Sequence, residues 1–223
     1  MKIWIVIAAF NEEKMIGEVI DSLRFYDYEN IVVVDDGSVD KTFDVLKSKK
    51  VHTLTHCINR GQGAALQTGI DFALSKNADI IITFDADGQH FAKEIKDIIK
   101  PITLGYDVAL GSRFLNKKTN VPVFKKFVLK GGAVICRLFY GIKLTDTHNG
   151  FRALSKKAAK KIKITEDKME HASQIIDEIA KHKLKYKEVP VTIKYSEYSM
   201  NKGQSIFNAV KILYKMFVNK FLK

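Results

Sequence analysis

The chain has 223 residues, 46% of them hydrophobic, which suits one domain with a full core. No apolar stretch approaches the roughly 20 residues a membrane-spanning helix needs, and two cysteines are no disulfide framework and fit a reducing cytosol. The net charge of +12 points to an anionic partner, either nucleic acid or an anionic membrane face, and Lys is concentrated after residue 115.

The apolar start runs straight into Asn11-Glu12-Glu13, which predicts a first strand over 3–8 and not a signal peptide. Further strands are expected over 31–34, 52–55, 80–84 and 108–110, and helices over 13–24, 41–49, 63–75 and 92–104. Asn11 is the expected cap of the first helix and Asp40 of the second. Pro101 is expected to kink the fourth or end it early. This βαβα order predicts a parallel sheet covered on both faces, with ligands at the carboxyl ends of its strands.

The second half is less regular. Residues 121–140 carry apolar residues at helical spacing, with Lys125, Lys126, Lys130 and Arg137 among them. A strand is expected over 151–154, a short helix near 156–162, a helix over 174–182, and a strand over 186–193 with Pro190 near an edge. Residues 206–223 read as a last helix, with Ile206, Val210, Leu213, Phe217 and Phe221 on one stripe and Lys211, Lys215 and Lys220 elsewhere. A basic amphipathic helix of this kind suits an anionic interface; packing on the domain or on a second copy of the chain is the plain alternative.

The acidic and glycine-rich motifs fall at expected strand ends. Asp85-Ala86-Asp87-Gly88-Gln89-His90 follows the apolar run 79–84 directly. Two carboxylates one residue apart repel each other unless a cation lies between them. Mg²⁺ and Mn²⁺ take oxygen ligands, commonly one or two carboxylates plus substrate phosphates. The plain alternative is a solvated acidic turn. Ala8-Ala9-Phe10-Asn11-Glu12-Glu13 either reads a nucleotide base or only caps a helix. Asp35-Asp36-Gly37-Ser38 closes the second strand, where carboxylates accept from a base N–H or a ribose hydroxyl, or simply make an Asx turn. Asn59-Arg60-Gly61-Gln62-Gly63 offers close backbone approach and a helix N-terminus, without the Gly-Lys-Ser/Thr of a Walker loop, or is only a tight turn packing a helix onto the sheet. Arg113 closes the fifth strand, and its fork of donors matches phosphate. Asp146-Thr147-His148-Asn149-Gly150-Phe151-Arg152 is a dense polar turn, Glu170-His171 opens a helix, and Lys202-Gly203-Gln204-Ser205 is a cationic loop.

In this order the segments resemble the family-2 glycosyltransferases of GT-A fold, and within them the dolichyl-phosphate-mannose-synthase-like branch with its bacterial relatives that glycosylate polyprenyl phosphates. The resemblance implies an α/β fold, a mostly parallel Rossmann-like sheet flanked by helices, with a basic amphipathic C-terminal helix. It implies a single domain over 1–223, nucleotide-binding to about 115 and acceptor-binding beyond. Asp85, Asp87 and Gln89 match the segment that holds Mg²⁺ or Mn²⁺, with Asp87 central to catalysis. Ala8, Phe10, Glu12, Asp35 and Asp36 are implied beside the nucleoside, and Gly63, Asp85 and Ala86 beside the donor. Arg113 matches an arginine facing phosphate near the acceptor, Arg152 ends the motif that shapes the sugar and acceptor site, and Lys202 and Ser205 match a loop that closes on the donor. Two positions depart from the pattern. Gln62 stands where many relatives have Lys, and Gln174 where relatives commonly carry Glu. A glutamine is no proton acceptor, which makes His171 the first candidate base and Asp146 the second.

The implied reaction is an inverting, metal-dependent transfer from a nucleotide-diphosphate sugar to a polyprenyl-phosphate or other lipid-linked acceptor. The implied place is cytoplasmic, peripheral on the inner face of the membrane. No nucleic-acid partner is expected, and a homodimer is an open alternative. The rival readings are a nucleotidyltransferase, which would need a basic Gly-rich loop after the first strand, and a basic nucleic-acid-binding protein, which leaves the acidic cluster without purpose.

Overall fold

The computed structural model describes residues 1–116 and 141–195. The order is β1 (Ile3–Ala9), α1 (Ile16–Phe25), β2 (Ile31–Asp35), α2 (Thr42–Lys49), β3 (His52–Thr55), α3 (Gln62–Ser75), β4 (Ile80–Asp85), α4 (Ile95–Thr103), β5 (Val108–Ser112), β6 (Arg152–Ser155), α5 (Lys156–Lys161), α6 (His171–Lys181) and β7 (Tyr186–Pro190). The amphipathic segments 121–140 and 206–223 lie outside the described residues, as do Lys202 and Ser205.

The strands read as apolar runs without alternation because both faces of the sheet are covered. Trp4, Val6, Val32 and Ile81 point to one face, against Leu66 and Ile70 of α3 and Ile175, Ile176 and Ile179 of α6. Ile5, Ile7, Val33 and Ile82 point to the other, against Ile16, Val19, Ile20 and Leu23 of α1 and Ile95 and Ile98 of α4. Helix α3 lies close enough that a Cβ on Gly69 would stand 2.3 Å from Val6 Cγ1.

The seven strands run in the order β3-β2-β1-β4-β6-β5-β7. All pairings are parallel except those of β6, which is antiparallel to both β4 and β5. The fully parallel expectation fails there for a topological reason. The chain leaves β5 at its carboxyl end and re-enters the sheet from that same end at Arg152, so β6 must run backwards. The consequence is functional: Arg152, the first residue of β6, pairs with Thr83 and Leu110, two residues short of the carboxyl ends of β4 and β5. Strand order reverses between β1 and β4, and that reversal opens a crevice at the carboxyl ends of a doubly wound sheet.

Two local expectations are corrected. Helix α1 starts at Ile16, not Glu13, and Asn11 does not cap it. Asn11 has φ 55° and its Oδ1 accepts from Val39 N at 2.9 Å, so it ties the loops after β1 and β2 together. The single fourth helix divides into a 3-10 turn, Ala92–Glu94, and α4, with Pro101 inside its last turn. Asp40 does serve the start of α2, accepting from Thr42 N at 2.9 Å.

Candidate active site

Strand β4 ends in Asp85, and the turn after it carries Asp87, with Gly88 at φ 73°. His90 folds back so that its Nε2 stands 2.8 Å from Asp85 Oδ2, while its ring packs on Phe84 and Phe151. Gln62 Nε2 donates to the other oxygen, Oδ1, at 3.3 Å. Gly150 presses on the same carboxylate: a Cβ there would lie 2.4 Å from Oδ1 and 2.5 Å from Oδ2. Burial raises the Asp85 pKa, but His90, Arg152 and His171 outweigh it and the net shift is downward. Asp87 goes the other way. Burial and the neighbouring Asp85 charge push it up to about 6, although Gln89 N donates to its Oδ1 at 3.0 Å. The turn thus holds one firmly ionised carboxylate and a second whose charge the first opposes.

A basic wall faces this pair. Arg113, after β5, is buried; its Nε donates to Asp146 Oδ2 at 2.6 Å and Nη2 to the His148 carbonyl at 3.2 Å. Burial lowers the Arg113 pKa, yet the Asp146 charge more than compensates and the net shift is upward. Arg152 is 3% exposed, and burial brings it down to about 10 against the pull of Asp85 and Asp146. His148 is pushed down to about 4 by burial and by the charges of Arg152 and Arg113. His171, first residue of α6, is also pushed down to about 4 by burial and Arg152. Its Nδ1 is 2.7 Å from the Lys168 carbonyl, which can only accept, so Nε2 carries the lone pair.

The loops after β2 and β3 complete the rim. Asp36 Oδ2 accepts from Gly61 N at 2.6 Å, its Oδ1 accepts from Arg60 N at 3.1 Å, and His56 Nδ1 lies 2.6 Å from Oδ1. Asp36 therefore builds the 56–61 loop, while Asp35 accepts from Ser38 N at 3.0 Å. Glu12 is buried, with its N–H donated to Thr42 Oγ1 at 2.7 Å, and Phe10 is 42% exposed at the rim. Ala8 packs against the α3-side core and the Ala86 methyl sits in the opposite core. Gly63 has a packing role: a Cβ there would stand 2.0 Å from the Glu166 carbonyl and 2.8 Å from His171 Cβ.

Asp85, Asp87, Arg113, Arg152 and His171 thus converge at one end of the sheet from β4, β5, β6 and α6. Asp146 also lies there, but its Oδ2 is held by Arg113 and its Oδ1 accepts from His148 N at 3.4 Å. Gln174 points elsewhere: its Oε1 accepts from Thr165 N and Glu166 N, both at 2.9 Å, which explains an amide where a base was considered. Sequence reasoning gave no role to His56, His90, His148 or Asn149. His90 had a usable clue, an imidazole five residues beyond a strand-end carboxylate.

The family described as "Glycosyl transferase family 2" matches residues 4–163. The chain belongs to this family. The transferase is 46% identical, over 98% of its own length and 92% of the relative's, to an uncharacterized protein of Methanocaldococcus jannaschii. It is 36% identical, over 99% of its length and 97% of the relative's, to a UDP-N-acetylglucosamine–dolichyl-phosphate N-acetylglucosaminyltransferase of Methanococcus voltae. Its fold matches glucosyl-3-phosphoglycerate synthase from Mycobacterium tuberculosis, crystallised with Mn²⁺, UDP and glucosyl-3-phosphoglycerate. The TM-score is 0.76 at 14% identity, over 98% of this chain and 80% of that one. The GT-A architecture and the resemblance to the lipid-phosphate branch of family 2 both hold, and the nucleotidyltransferase alternative falls.

Proposed function

We propose that this glycosyltransferase moves a sugar, with inversion, from a nucleotide-diphosphate sugar to a lipid-linked phosphate such as a polyprenyl phosphate. One observation carries the acceptor class: each described base candidate is already committed or weak. Asp146 is held by Arg113, and Gln174 by the 165–166 backbone. His171 keeps a free lone pair but titrates at about 4, too low to take a proton well from an alcohol near neutral pH. An acceptor that arrives ionised needs no base, and two buried guanidinium groups favour it. Its oxyanion attacks the anomeric carbon while the bond to the diphosphate breaks on the opposite face, and the nucleoside diphosphate leaves.

The carboxylate pair fits Mg²⁺ or Mn²⁺. It offers hard oxygens; burial first and then repulsion from Asp85 lift Asp87 to about 6, and a cation between the two would relieve the repulsion. Among the described residues no group of three His, Cys, Asp or Glu could hold a metal ion, so substrate phosphates would have to supply the remaining ligands. Asp85 and Asp87, with Gln89, would hold the ion, and the ion would neutralise charge on the leaving diphosphate. Glu12, Phe10 and the loop built by Asp36 are assigned to the nucleoside, and Lys202 and Ser205 to closing on the donor. No helix among the described residues is long and apolar enough to cross a membrane. A peripheral position on the cytoplasmic membrane face belongs to the same reading, supported by the lipid-phosphate acceptor it assigns. The segments 121–140 and 206–223 are proposed as the contacts.

A thermal-shift panel of UDP, GDP and TDP and their sugars, with and without Mn²⁺, tests the donor class. Ligand at a hundredfold its Kd stabilises by about 2.7 kcal/mol, roughly 5–10 °C for a chain of this size. A Mn²⁺-dependent rise with one base is the expected result. No rise with any of them overturns the reading.

A further inference from the structure

Strand β7 ends at Pro190, but the chain beyond it stays beside β5. Val191 N donates to the Ser112 carbonyl at 3.1 Å, and the side chains of Val191 and Ile193 are buried. Thr192, between them, is gripped by a residue 98 positions away in sequence: Glu94 Oε2 accepts from Thr192 N at 2.9 Å and Glu94 Oε1 from Thr192 Oγ1 at 2.7 Å. Asn116 Nδ2 donates to the same hydroxyl oxygen at 2.8 Å. A carboxylate that takes two donors of one residue fixes its orientation as well as its place, and such charge-assisted bonds are the strong ones.

Glu94 forgoes a local use for this grip. It closes the 3-10 turn Ala92–Glu94 and stands at the N-terminus of α4, where a carboxylate suits the helix dipole, yet its side chain makes no capping hydrogen bond there.

Two residues beyond Thr192 the strap reaches the acidic turn. Lys194 N donates to the Gln89 carbonyl at 3.0 Å. Gln89 N donates in turn to Asp87 Oδ1 at 3.0 Å. Gln89 is thus held at its carbonyl by the strap and holds Asp87 with its N–H. A carboxylate repelled by its neighbour needs such a hold if both are to meet one cation.

We propose that Glu94 and Thr192 are positioning residues: they latch the 191–195 strap, which holds the Gln89 backbone and through it sets Asp87 for the divalent ion. This rests on the metal reading above. Neither residue is assigned to the ion or to a substrate; their effect runs through the backbone at 194 and 89. Partners that orient metal ligands in this way commonly carry roughly 10–100-fold of metal affinity.

The test is Mn²⁺ affinity of the full chain, read from the electron paramagnetic resonance signal of the unbound ion, with UDP, GDP or TDP present and each nucleotide alone as blank. Wild type is expected to bind Mn²⁺ with one of the three. Glu94→Ala should lose roughly tenfold or more, and Glu94→Gln, whose amide oxygen still accepts, should recover part. Thr192→Val leaves every charge in place and should lose several fold, while Thr192→Ser, which keeps the hydroxyl, should stay within twofold of wild type. Gly69→Ala, which crowds α3 against Val6 far from the strap, should lower the melting temperature and leave Mn²⁺ affinity unchanged.

Unchanged Mn²⁺ affinity in Thr192→Val overturns the latch, whatever happens to its melting temperature, and leaves the strap a structural brace. So does a loss in Glu94→Ala that Thr192→Val does not share, which marks the charge at 94 and not the grip. An equal loss in Gly69→Ala overturns it as well, because affinity then follows global stability. If Glu94→Ala does not fold, the Thr192→Val and Thr192→Ser pair decides. If wild type binds no Mn²⁺ with any of the three nucleotides, the metal reading fails, and the latch with it.

Discussion

At the scale of single residues, Asp87 illustrates how a site opposes stability. Its pKa in the folded protein is raised from 3.8 to about 6 by burial and by Asp85. A group shifted this way contributes stability that is fully present below 3.8 and is lost as pH rises through about 6, so near pH 7.5 its charge is a net cost. Asp87→Asn keeps the shape and removes the charge. We expect its melting temperature without ligand at pH 7.5 to exceed that of wild type by roughly 3–5 °C, about 1–2 kcal/mol after allowance for solvent. The advantage should vanish near pH 4, and the metal-dependent nucleotide shift should be lost with nearly all turnover. A lower melting temperature at pH 7.5 would sink the argument. The position of the acids was legible, because the β-branched apolar run marks where β4 stops, at Asp85. Their partners were not. That His90 grips Asp85, or that Asp36 is consumed by the 60–61 backbone, depends on loops from distant parts of the chain meeting in space.

At the scale of elements, the close seating of α3 on β1 is decided by Gly69. A glycine inside a helix costs up to about 1 kcal/mol relative to alanine, so propensity alone favours Gly69→Ala. The space does not: the new methyl would stand 2.3 Å from Val6 Cγ1 and 3.3 Å from Val34 Cγ2, in a core with no room to yield. Overpacking costs typically 1–3 kcal/mol, and it should win. Urea unfolding of Gly69→Ala should give a net loss of about 1–2 kcal/mol with an unchanged slope; a gain in stability would mean that helix and strand separate freely. Strands β1 to β4 and helix α3 were legible almost to the residue, since apolar runs and Gly-rich turns mark them locally. Helix α1 was placed too early because Asn11 and Glu13 look like a cap and a first turn. In the fold both tie the loop after β1 to residues 38–41: Asn11 accepts from Val39 N, and Glu13 accepts from Lys41 N. Gly63, in a turn read either as close backbone approach to a ligand or as tight packing, leaves room for the 166–171 segment, a contact no local pattern reveals.

At the scale of the whole molecule, sequence order gave the doubly wound half and its carboxyl-end site, but not the reversal of β6. Strand direction depends on which end of the sheet the 113–151 excursion returns to, and no spacing encodes that. The reversal delivers Arg152 to the site, so the least legible feature of the topology brings a buried arginine to it. Net charge works at the same scale, and its consequence for stability has a definite sign. With 37 basic against 25 acidic side chains, the folded chain repels itself. Exposed pairs such as Arg60–Asp167 and Lys163–Asp71 return at most about 1 kcal/mol each, and salt weakens them too. The buried Arg113–Asp146 pair is screened far less. Raising NaCl from about 0.05 to about 0.5 M shortens the screening length from over 10 Å to under 5 Å. That removes long-range repulsion and leaves the buried pair. The melting temperature of the ligand-free protein should therefore rise with NaCl by a few degrees. A fall would mean that exposed ion pairs outweigh the net repulsion, and that the excess lysines are balanced by specific partners and do not form a free positive field.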